Sequence, residues 1–305
     1  MRIKEVLAYT AEIPYKKPWV ISGGPTSLAA NVLVQIITDE GLVGLGEGSP
    51  VPAYGDETQG TILHAIRYNL ADVLIGRDPF DSEALLHAMD KRLHGHHFAK
   101  AAIDLALYDL RGKALGVPVY QLLGGKYRER IELIAGVGLG DTETRVREAV
   151  EAAEAGYTII KMKISGDPAL DIEQVGAVRE AIGPRIRLRL DANQGYRSGD
   201  CLPTFKKLES FGLEYIEQPL PRWDIAGQAA LAAALDTPIM GDESCYTPED
   251  VITLIRYQAV DIVNIKIMKS GLARSQKIAA IAEAAGIPCM IGSMVEMGIG
   301  TAAGV

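Results

Sequence analysis

Two lysines and three acidic residues stand at the ends of successive β-rich runs in the second half of the chain. In order they are Lys163, Asp191, Glu217, Asp242 and Lys266, and successive members are 28, 26, 25 and 24 residues apart. Carboxylates that converge in a partly buried site repel one another and raise each other's pKa unless a cation neutralises them. Oxygen ligands without a nearby His or Cys suit Mg²⁺ or Mn²⁺ rather than zinc. The three acids therefore predict a magnesium or manganese site.

The alternation of side chains along a strand indicates that the lysines face this site. In the run YTIIKMKI, Lys161 and Lys163 share one face while Ile160 and Met162 share the other, since successive side chains of a strand point to opposite faces. A lysine near a cation and another amine has a lowered pKa and can act as a base. A base on each side of a cation predicts abstraction of a proton α to a carboxylate, with the cation stabilising the enediolate that forms.

The elements that position these residues repeat at about 25 residues. Seven β-rich runs alternate with amphipathic helical stretches: IELIAGV, YTIIKMKI, RIRLRLDA, LEYIEQP, TPIMGDE, DIVNIKI and IPCMIGS. This repeat predicts a (β/α) barrel, whose active sites lie at the carboxyl ends of the strands. A doubly wound sheet is disfavoured, because the glycines at 136–140 match a dinucleotide-binding turn only weakly. Since a barrel needs an eighth strand to close its edge, we expect the chain to be truncated after strand seven and to continue past Val305 in a longer protein.

The first part of the chain predicts a separate α+β domain. Its expected strands are 3–9, 31–38 and 42–46, with a hairpin turn at 39–41, and its expected helices are 57–75, 81–93 and 99–115. Gly and Pro at 116–118 end the last of these helices. The predicted organisation is an α/β protein with an α+β domain at 1–125 and a (β/α) barrel domain at 126–305.

Composition and charge restrict the possible partners. Lys and Arg number 31 and Asp and Glu number 39, and the resulting net charge of −8 argues against a nucleic-acid or anionic-membrane surface. The chain has neither an 18-residue apolar stretch nor a signal-peptide pattern at its start. Cys201, Cys245 and Cys289 lie far apart and are odd in number, which predicts a reduced, cytoplasmic compartment. All five histidines lie in the first third of the chain, so the predicted barrel has no imidazole.

Five motifs carry a resemblance to a known family. They are Lys161-Met-Lys163, Asp191-Ala-Asn193, Glu217-Gln-Pro219, Asp242-Glu243-Ser244 and Asn264-Ile-Lys266. In this order and at this spacing they resemble the enolase superfamily, in the muconate lactonizing enzyme subgroup of the mandelate racemase/muconate lactonizing enzyme family. The resemblance runs from about Arg2 to Gly304. The mandelate racemase subgroup is less similar, because its His–Asp base pair needs a histidine in the barrel.

The resemblance implies an N-terminal capping domain over a modified (β/α)₇β barrel of the TIM type. It implies acid/base catalysis by Lys163 and Lys266 from opposite sides and a substrate carboxylate neutralised by Lys161. It also implies Mg²⁺, with Mn²⁺ as a possible substitute, held by three ligands: Asp191, Glu217 and Asp242.

Other residues are expected to support or line this site. Glu243 has the opposite parity to Asp242, so we expect it, together with Asn193, to hold the ligands rather than to bind the ion. In the resembled family a loop covers the barrel mouth and helps to select the substrate, and the equivalent segment here is 15–25. The residues expected to contact the substrate are Trp19, Ile21, Tyr54 and Glu296.

The expected reaction is racemisation or epimerisation of an amino-acid derivative or a dipeptide by an isomerase. Cycloisomerisation of a muconate, or dehydration as in o-succinylbenzoate synthesis, would use the same lysines and stays an alternative. A catalytically silent barrel kept as a binding scaffold is a more distant alternative. The expected partner is a small-molecule carboxylate, and the resemblance implies a homo-oligomer that associates through the capping domains.

Overall fold

An antiparallel three-stranded sheet forms the N-terminal part of the computed structural model, which describes residues 1–21, 24–199 and 201–305, without the side chains at 17–26. Its strands are β1 (Ile3–Ile21), β2 (Gly24–Thr38) and β3 (Val43–Gly48), in the order β1-β2-β3. The turn between β2 and β3 has Gly41 at φ +84°, a conformation that favours glycine. This confirms the hairpin predicted at 39–41.

The hairpin of β1 and β2 is longer than the polarity pattern predicts. In the segment 15–25, predicted as a loop, the backbone of residues 19–21 pairs with that of residues 24–26, and Ile21 lies opposite Gly24. Residues 22 and 23 lie outside the described part of the chain. A register shift between Pro14 and Trp19 precedes this pairing. The prediction was wrong because backbone donors and acceptors along a hairpin can bond one another whatever the alternation of the side chains.

Four helices follow this sheet: α1 (Gln59–Ala65), α2 (Ser82–Arg92), α3 (His97–Leu115) and α4 (Val119–Leu122). The predicted helix at 57–75 is present as α1, a π-helical turn at 66–70 and a 3₁₀ turn at 71–73. Helix α3 packs tightly on β3, because a Cβ atom at Gly46 would lie 2.0 Å from the carbonyl oxygen of Ala102. The glycines at 44 and 46 therefore serve this close approach of helix and strand.

Seven parallel strands form the second sheet: β4 (Ala135–Val137), β5 (Ile159–Lys163), β6 (Arg187–Asp191), β7 (Leu213–Glu217), β8 (Ile239–Gly241), β9 (Ile262–Lys266) and β10 (Cys289–Gly292). Neighbours in the sheet follow the order of the chain from β4 to β10 without a reversal. A doubly wound sheet would reverse its order at a switch point. The sequential order is that of a TIM-type (β/α) barrel and confirms the predicted fold class.

Helices alternate with these strands: α5 (Thr142–Glu154), α6 (Pro168–Ile182), α7 (Leu202–Leu208), α8 (Ile225–Ala234), α9 (Pro248–Tyr257), α10 (Ile267–Ala284) and α11 (Gly298–Gly304). Most begin at a polar cap. The carboxylate of Asp141, for example, accepts a hydrogen bond from the Thr144 amide at 2.8 Å. Helix α10 follows β9 directly and is interrupted at Gly271, where φ is +70° and ψ is 178°. None of the helices in the described ranges is long and apolar enough to span a membrane.

Buried polar contacts join the N-terminal domain to the barrel. The Asp104 carboxylate on α3 accepts a hydrogen bond from the Ala273 amide at 2.9 Å, just past the interruption of α10. On β3, the Glu47 carboxylate accepts hydrogen bonds from the amides of Met297 and Gly300 at 2.6 and 2.8 Å. Asp104 and Glu47 are about 1% and 0% exposed, so both carboxylates depend on these partners for the hydrogen bonds that water would otherwise supply.

Candidate active site

The carboxyl ends of neighbouring strands bring the predicted acids to one edge of the sheet. The register pairs Lys163 of β5 with Asp191 of β6, and Asp191 with Glu217 of β7. Asp242 follows directly after β8. All three carboxylates are buried, with 0 to 1% of each residue exposed. Adjacent parallel strands therefore hold three acids side by side in a region that is shielded from solvent.

Two amines from β5 neutralise the first two acids. The Nζ atom of Lys161 lies 3.0 Å from Asp191 Oδ2 and 3.1 Å from Glu217 Oε2. The Nζ atom of Lys163 lies 2.7 Å from the same oxygen of Asp191. Both lysines thus face the acids, as the parity of the strand predicts.

Two further amines hold the third acid from the other side. Lys266 at the end of β9 donates to Asp242 Oδ2 at 2.5 Å. Lys269, in the first turn of α10, donates to Asp242 Oδ1 at 2.8 Å and to the Asp242 carbonyl oxygen at 2.6 Å. Asp242 is therefore bound at both carboxylate oxygens. The sequence analysis missed Lys269, because it belongs to a helix and not to a strand end.

Asn193 and Glu243 connect the two sides of the site. Asn193 accepts a hydrogen bond from Lys163 through its side-chain oxygen and donates to Glu243 Oε1 at 3.1 Å through its side-chain nitrogen. Its backbone amide donates to Asp191 Oδ1 at 3.0 Å. Asn193 has φ +41°, a left-handed conformation that Asn tolerates better than most residues. This turn lets one residue bond both a lysine and an acid.

Two buried amide side chains that the sequence analysis missed orient the acids. Gln218 accepts hydrogen bonds from the amides of Asp242 and Ser244 at 2.9 and 3.1 Å. Asn264 on β9 donates to Glu217 Oε1 at 3.0 Å. Both residues lie inside motifs quoted above, so an amide next to a strand-end acid was the available signal. Asn264 therefore holds the Glu217 carboxylate directly, and Gln218 holds the backbone that carries Asp242.

The charges of the cluster shift several pKa values. Burial opposes ionisation of Asp191 and Asp242, yet Lys163 and Lys266 outweigh burial and hold the pKa of each acid well below its usual range. Burial and the Asp191 charge raise the pKa of Glu217. Burial and the Asp242 charge raise the pKa of Glu243 to about 8.

Direct contact with carboxylates determines the pKa of two of the lysines. Burial disfavours the charged amines, but Glu217 and Asp242 outweigh it and raise the pKa of Lys161 and Lys266. The lowered pKa expected for a lysine beside a bound cation stays a prediction, because Lys161 and Lys266 here contact carboxylates directly. The described residues contain no group of three or more His, Cys, Asp or Glu that is already arranged as ligands around one point. The amines occupy the space between the acids.

The residues predicted to contact the substrate lie on separate elements. Tyr54 is half-buried, and its carbonyl oxygen accepts a hydrogen bond at 3.3 Å from the hydroxyl of Tyr246 in the loop after β8. Glu296 follows β10, accepts a hydrogen bond from the Met294 amide at 2.8 Å, and has a pKa that burial raises. The charge of Lys266 opposes this rise. Trp19 and Ile21 fall outside the described side chains.

The capping sheet, the barrel in sequential order and the cluster of acids and amines at its carboxyl edge define an enolase-type α/β-barrel protein. A family model described as "Mandelate racemase / muconate lactonizing enzyme, N-terminal domain" matches residues 3–124. A second, described as "Enolase C-terminal domain-like", matches residues 144–305. The chain belongs to the mandelate racemase/muconate lactonizing enzyme family of the enolase superfamily, which confirms the resemblance inferred from the motifs.

Characterised relatives are isomerases of several kinds. The N-succinyl-L-Arg/Lys racemase of Bacillus cereus is 36% identical over 306 residues, covering 100% of this chain and 83% of the relative. A dipeptide epimerase of Enterococcus faecalis, solved with Mg and the dipeptide L-Leu-L-Tyr, is 38% identical with a TM-score of 0.94, covering 100% of this chain and 86% of that one. A chloromuconate cycloisomerase of Delftia acidovorans is 35% identical over 308 residues, covering 99% of this chain and 83% of the relative. The chain is thus similar to racemases, epimerases and cycloisomerases.

Proposed function

We propose that this protein is an isomerase that abstracts the proton α to a substrate carboxylate, with Mg²⁺ as cofactor. The observation that carries the proposal is the placement of amines on opposite sides of three buried acids. Lys161 and Lys163 contact Asp191 on one side, and Lys266 contacts Asp242 on the other. Opposed bases allow a proton to be removed from one face of the α-carbon and returned to the other.

The donor set fits Mg²⁺. Asp191, Glu217 and Asp242 are hard oxygen ligands, and the amines of Lys161, Lys163 and Lys266 balance their charge. We propose these three acids as the ligands, with Asn193 and Glu243 holding them. When bound, Mg²⁺ would stabilise the negative charge that develops on the substrate carboxylate. With the charge of the acids balanced in this way, the amines of Lys163 and Lys266 would be free to exchange a proton with the substrate. We extend the proposal to Mn²⁺, which prefers the same ligands.

The lysines have separate roles in this proposal. Lys163 and Lys266 would each remove or return the α-proton, and Lys161 would neutralise the substrate carboxylate. Lys161 contacts two acids at once and keeps 21% of its side chain exposed. Lys163 and Lys266 keep 12% and 10% exposed. Partial exposure supports contact between these amines and a small ligand above the strand ends.

We propose an N-acylated amino acid or a dipeptide as the substrate, with racemisation or epimerisation as the outcome. The racemase and epimerase relatives at 36 to 38% identity support this choice. Muconate cycloisomerisation is the second candidate, because a cycloisomerase relative is 35% identical over nearly the same span. Trp19, Ile21, Tyr54 and Glu296 remain the residues proposed to contact the substrate.

The test is ¹H NMR in D₂O with Mg²⁺ and a panel of N-acyl amino acids, dipeptides and muconates. We expect loss of an α-proton signal, from both stereoisomers of the substrate, and no loss after EDTA treatment. Lys163→Ala and Lys266→Ala should each abolish interconversion of the two stereoisomers. In each variant, the α-proton of one stereoisomer should still exchange faster than that of the other. Lys206→Ala, at an exposed lysine on α7, is the matched control. Unchanged exchange in both active-site variants would exclude the two-base mechanism, and lactone formation without α-exchange would favour the cycloisomerase.

Three coarser properties complete the proposal. We propose a boundary between capping and barrel domains near 125/126, a cytoplasmic location and a homo-oligomer. The odd number and wide spacing of the cysteines, Cys201, Cys245 and Cys289, support a reducing compartment. Light scattering after gel filtration would measure the oligomeric state, and a mass of one chain, 32.8 kDa, would exclude the homo-oligomer.

A further inference from the structure

Lys269 is the most deeply buried amine of the site. None of its side chain is exposed, whereas Lys161, Lys163 and Lys266 keep 21%, 12% and 10%. Its ammonium group donates to the Asp242 carbonyl oxygen, Asp242 Oδ1 and the Asn264 carbonyl oxygen at 2.6, 2.8 and 3.0 Å. An ammonium has three donors, so every donor of Lys269 is satisfied by a protein oxygen. Lys269 therefore has neither the access nor a free donor for contact with substrate.

The position of Lys269 is fixed by the backbone around it. Helix α10 starts immediately after Lys266, and the non-helical Gly271 ends its first turn. The Ser270 hydroxyl donates to the Tyr246 carbonyl oxygen at 2.8 Å. The Ala273 amide donates to Asp104 on α3. Contacts on both sides of Lys269 thus hold this turn against the loop after β8 and against the capping domain.

We infer that Lys269 is a positioning residue that determines which divalent cation the site prefers. Lys269 occupies Asp242 Oδ1, while Oδ2 is held by the more exposed Lys266, which is the amine that can leave. Asp242 is then able to offer a cation one oxygen only. Single oxygens suit Mg²⁺, which requires six ligands in near-ideal octahedral geometry, whereas Ca²⁺ takes six to eight oxygens and accepts carboxylates with both oxygens. The inference rests on the proposed magnesium site.

The test compares Mg²⁺ and Ca²⁺ binding by isothermal titration calorimetry in the full chain and its variants. Lys269→Met keeps the length of the side chain and removes the donors. We expect the ratio Kd(Ca²⁺)/Kd(Mg²⁺) to fall about tenfold, because Asp242 gains a second free oxygen that Ca²⁺ can use. Loss of the positive charge should strengthen the binding of Mg²⁺ and Ca²⁺ alike, so this effect cancels in the ratio of the two Kd values. Lys100→Met is the matched control, since Lys100 is also buried (4% exposed) and paired with Asp90, but lies in the capping domain.

A folded Lys269→Met protein with an unchanged ratio would overturn the inference, as would an equal change in Lys100→Met. If Lys269→Met does not fold, a crystal structure of the Mg²⁺-loaded wild-type protein decides. A single Asp242 oxygen on the ion, with Lys269 still on the other, would support the inference, and both oxygens on the ion would contradict it. Absence of Mg²⁺ binding to the wild-type protein would instead overturn the proposed function itself.

Discussion

Glu47 is the residue whose replacement tests most directly how the capping domain holds the barrel. Its carboxylate is fully buried and accepts three hydrogen bonds: from the Asn31 side chain at 2.9 Å and from the amides of Met297 and Gly300 at 2.6 and 2.8 Å. Asn31 also donates to the Val295 carbonyl oxygen at 3.1 Å. The chain after β10 is therefore attached to β2 and β3 through one acid and one amide.

Replacing Glu47 by Ala leaves three buried donors without an acceptor. Each hydrogen bond to a charged group contributes about 1.5–3 kcal/mol, but the three share one acceptor and are not additive. We expect Glu47→Ala to lower the free energy of unfolding by about 3–5 kcal/mol, at the upper end for a single substitution. Glu47→Gln keeps an acceptor oxygen, so its free energy of unfolding should fall less than that of Glu47→Ala. Urea unfolding followed by circular dichroism measures both values.

The same substitution should affect substrate binding, because Glu296 directly precedes Met297, whose amide donates to Glu47. Glu47→Gln, if folded, should raise KM for the substrate found by NMR more than it lowers kcat. The control is Glu5→Ala, at an exposed acid on β1, which should change the stability by no more than about 0.5 kcal/mol. A loss below about 1 kcal/mol in Glu47→Ala would refute the reasoning, since the donors would then have found other partners.

Three further predictions concern buried charge, backbone strain and the metal. Burial raises the pKa of Asp104 to about 6, above its value in the unfolded chain. The free energy of unfolding should therefore fall by roughly 3 kcal/mol as the pH rises from about 4 to 6, and Asp104→Asn should remove this decrease in urea titrations at several pH values. An unchanged pH dependence in the variant would contradict the prediction. Gly271→Ala should lower the stability measured by calorimetry by about 1–3 kcal/mol, because φ is +70° and the new Cβ would meet Asp104 Oδ2 at 2.5 Å. The control is Gly60→Ala, where the new Cβ would meet Thr58 Oγ1 only at 3.9 Å, and it should be neutral or stabilising. Mg²⁺ at 100 times its Kd should stabilise the wild-type protein by about 2.7 kcal/mol. Asp191→Asn should lose this stabilisation, and an equal stabilisation of the wild type and the variant would exclude Asp191 as a ligand.

The barrel was predictable because its strands are local and repeat. Each strand has its own alternation of side chains with a period of two. The polar residue at its carboxyl end marks the edge of the sheet where the active site lies, and this can be read without knowing the rest of the fold. The spacing from Lys163 to Lys266 therefore identified five strands and the face on which their polar residues lie. The regular connection of strand and helix also fixes their order, so the fold class followed without knowledge of any distant contact.

Residues that act through distant partners were not predictable in this way. Lys269 contacts Asp242, 27 residues earlier, and Glu47 contacts Gly300, 253 residues later. Neither lies at a strand end that the repeat singles out, and a buried lysine has no distinct pattern in a helix. The extension of β1 through 15–21 was also missed, because Pro18 and mixed polarity in that stretch resemble a loop.

The arrangement also explains why the motifs alone leave epimerase and cycloisomerase open. The amines and acids that would make and stabilise an enediolate all lie on β5 to β9 and the turns after them, so any reaction through such an intermediate can use the same set. The residues proposed to select the substrate come instead from β1, from the loop before α1 and from the chain after β10. Those three segments belong to the cap or, through Glu47, are tied to it. Substrate choice can therefore change by substitution in or near the cap while Lys163, Lys266 and the three acids stay as they are, which is the pattern expected of a fold that hosts several related reactions.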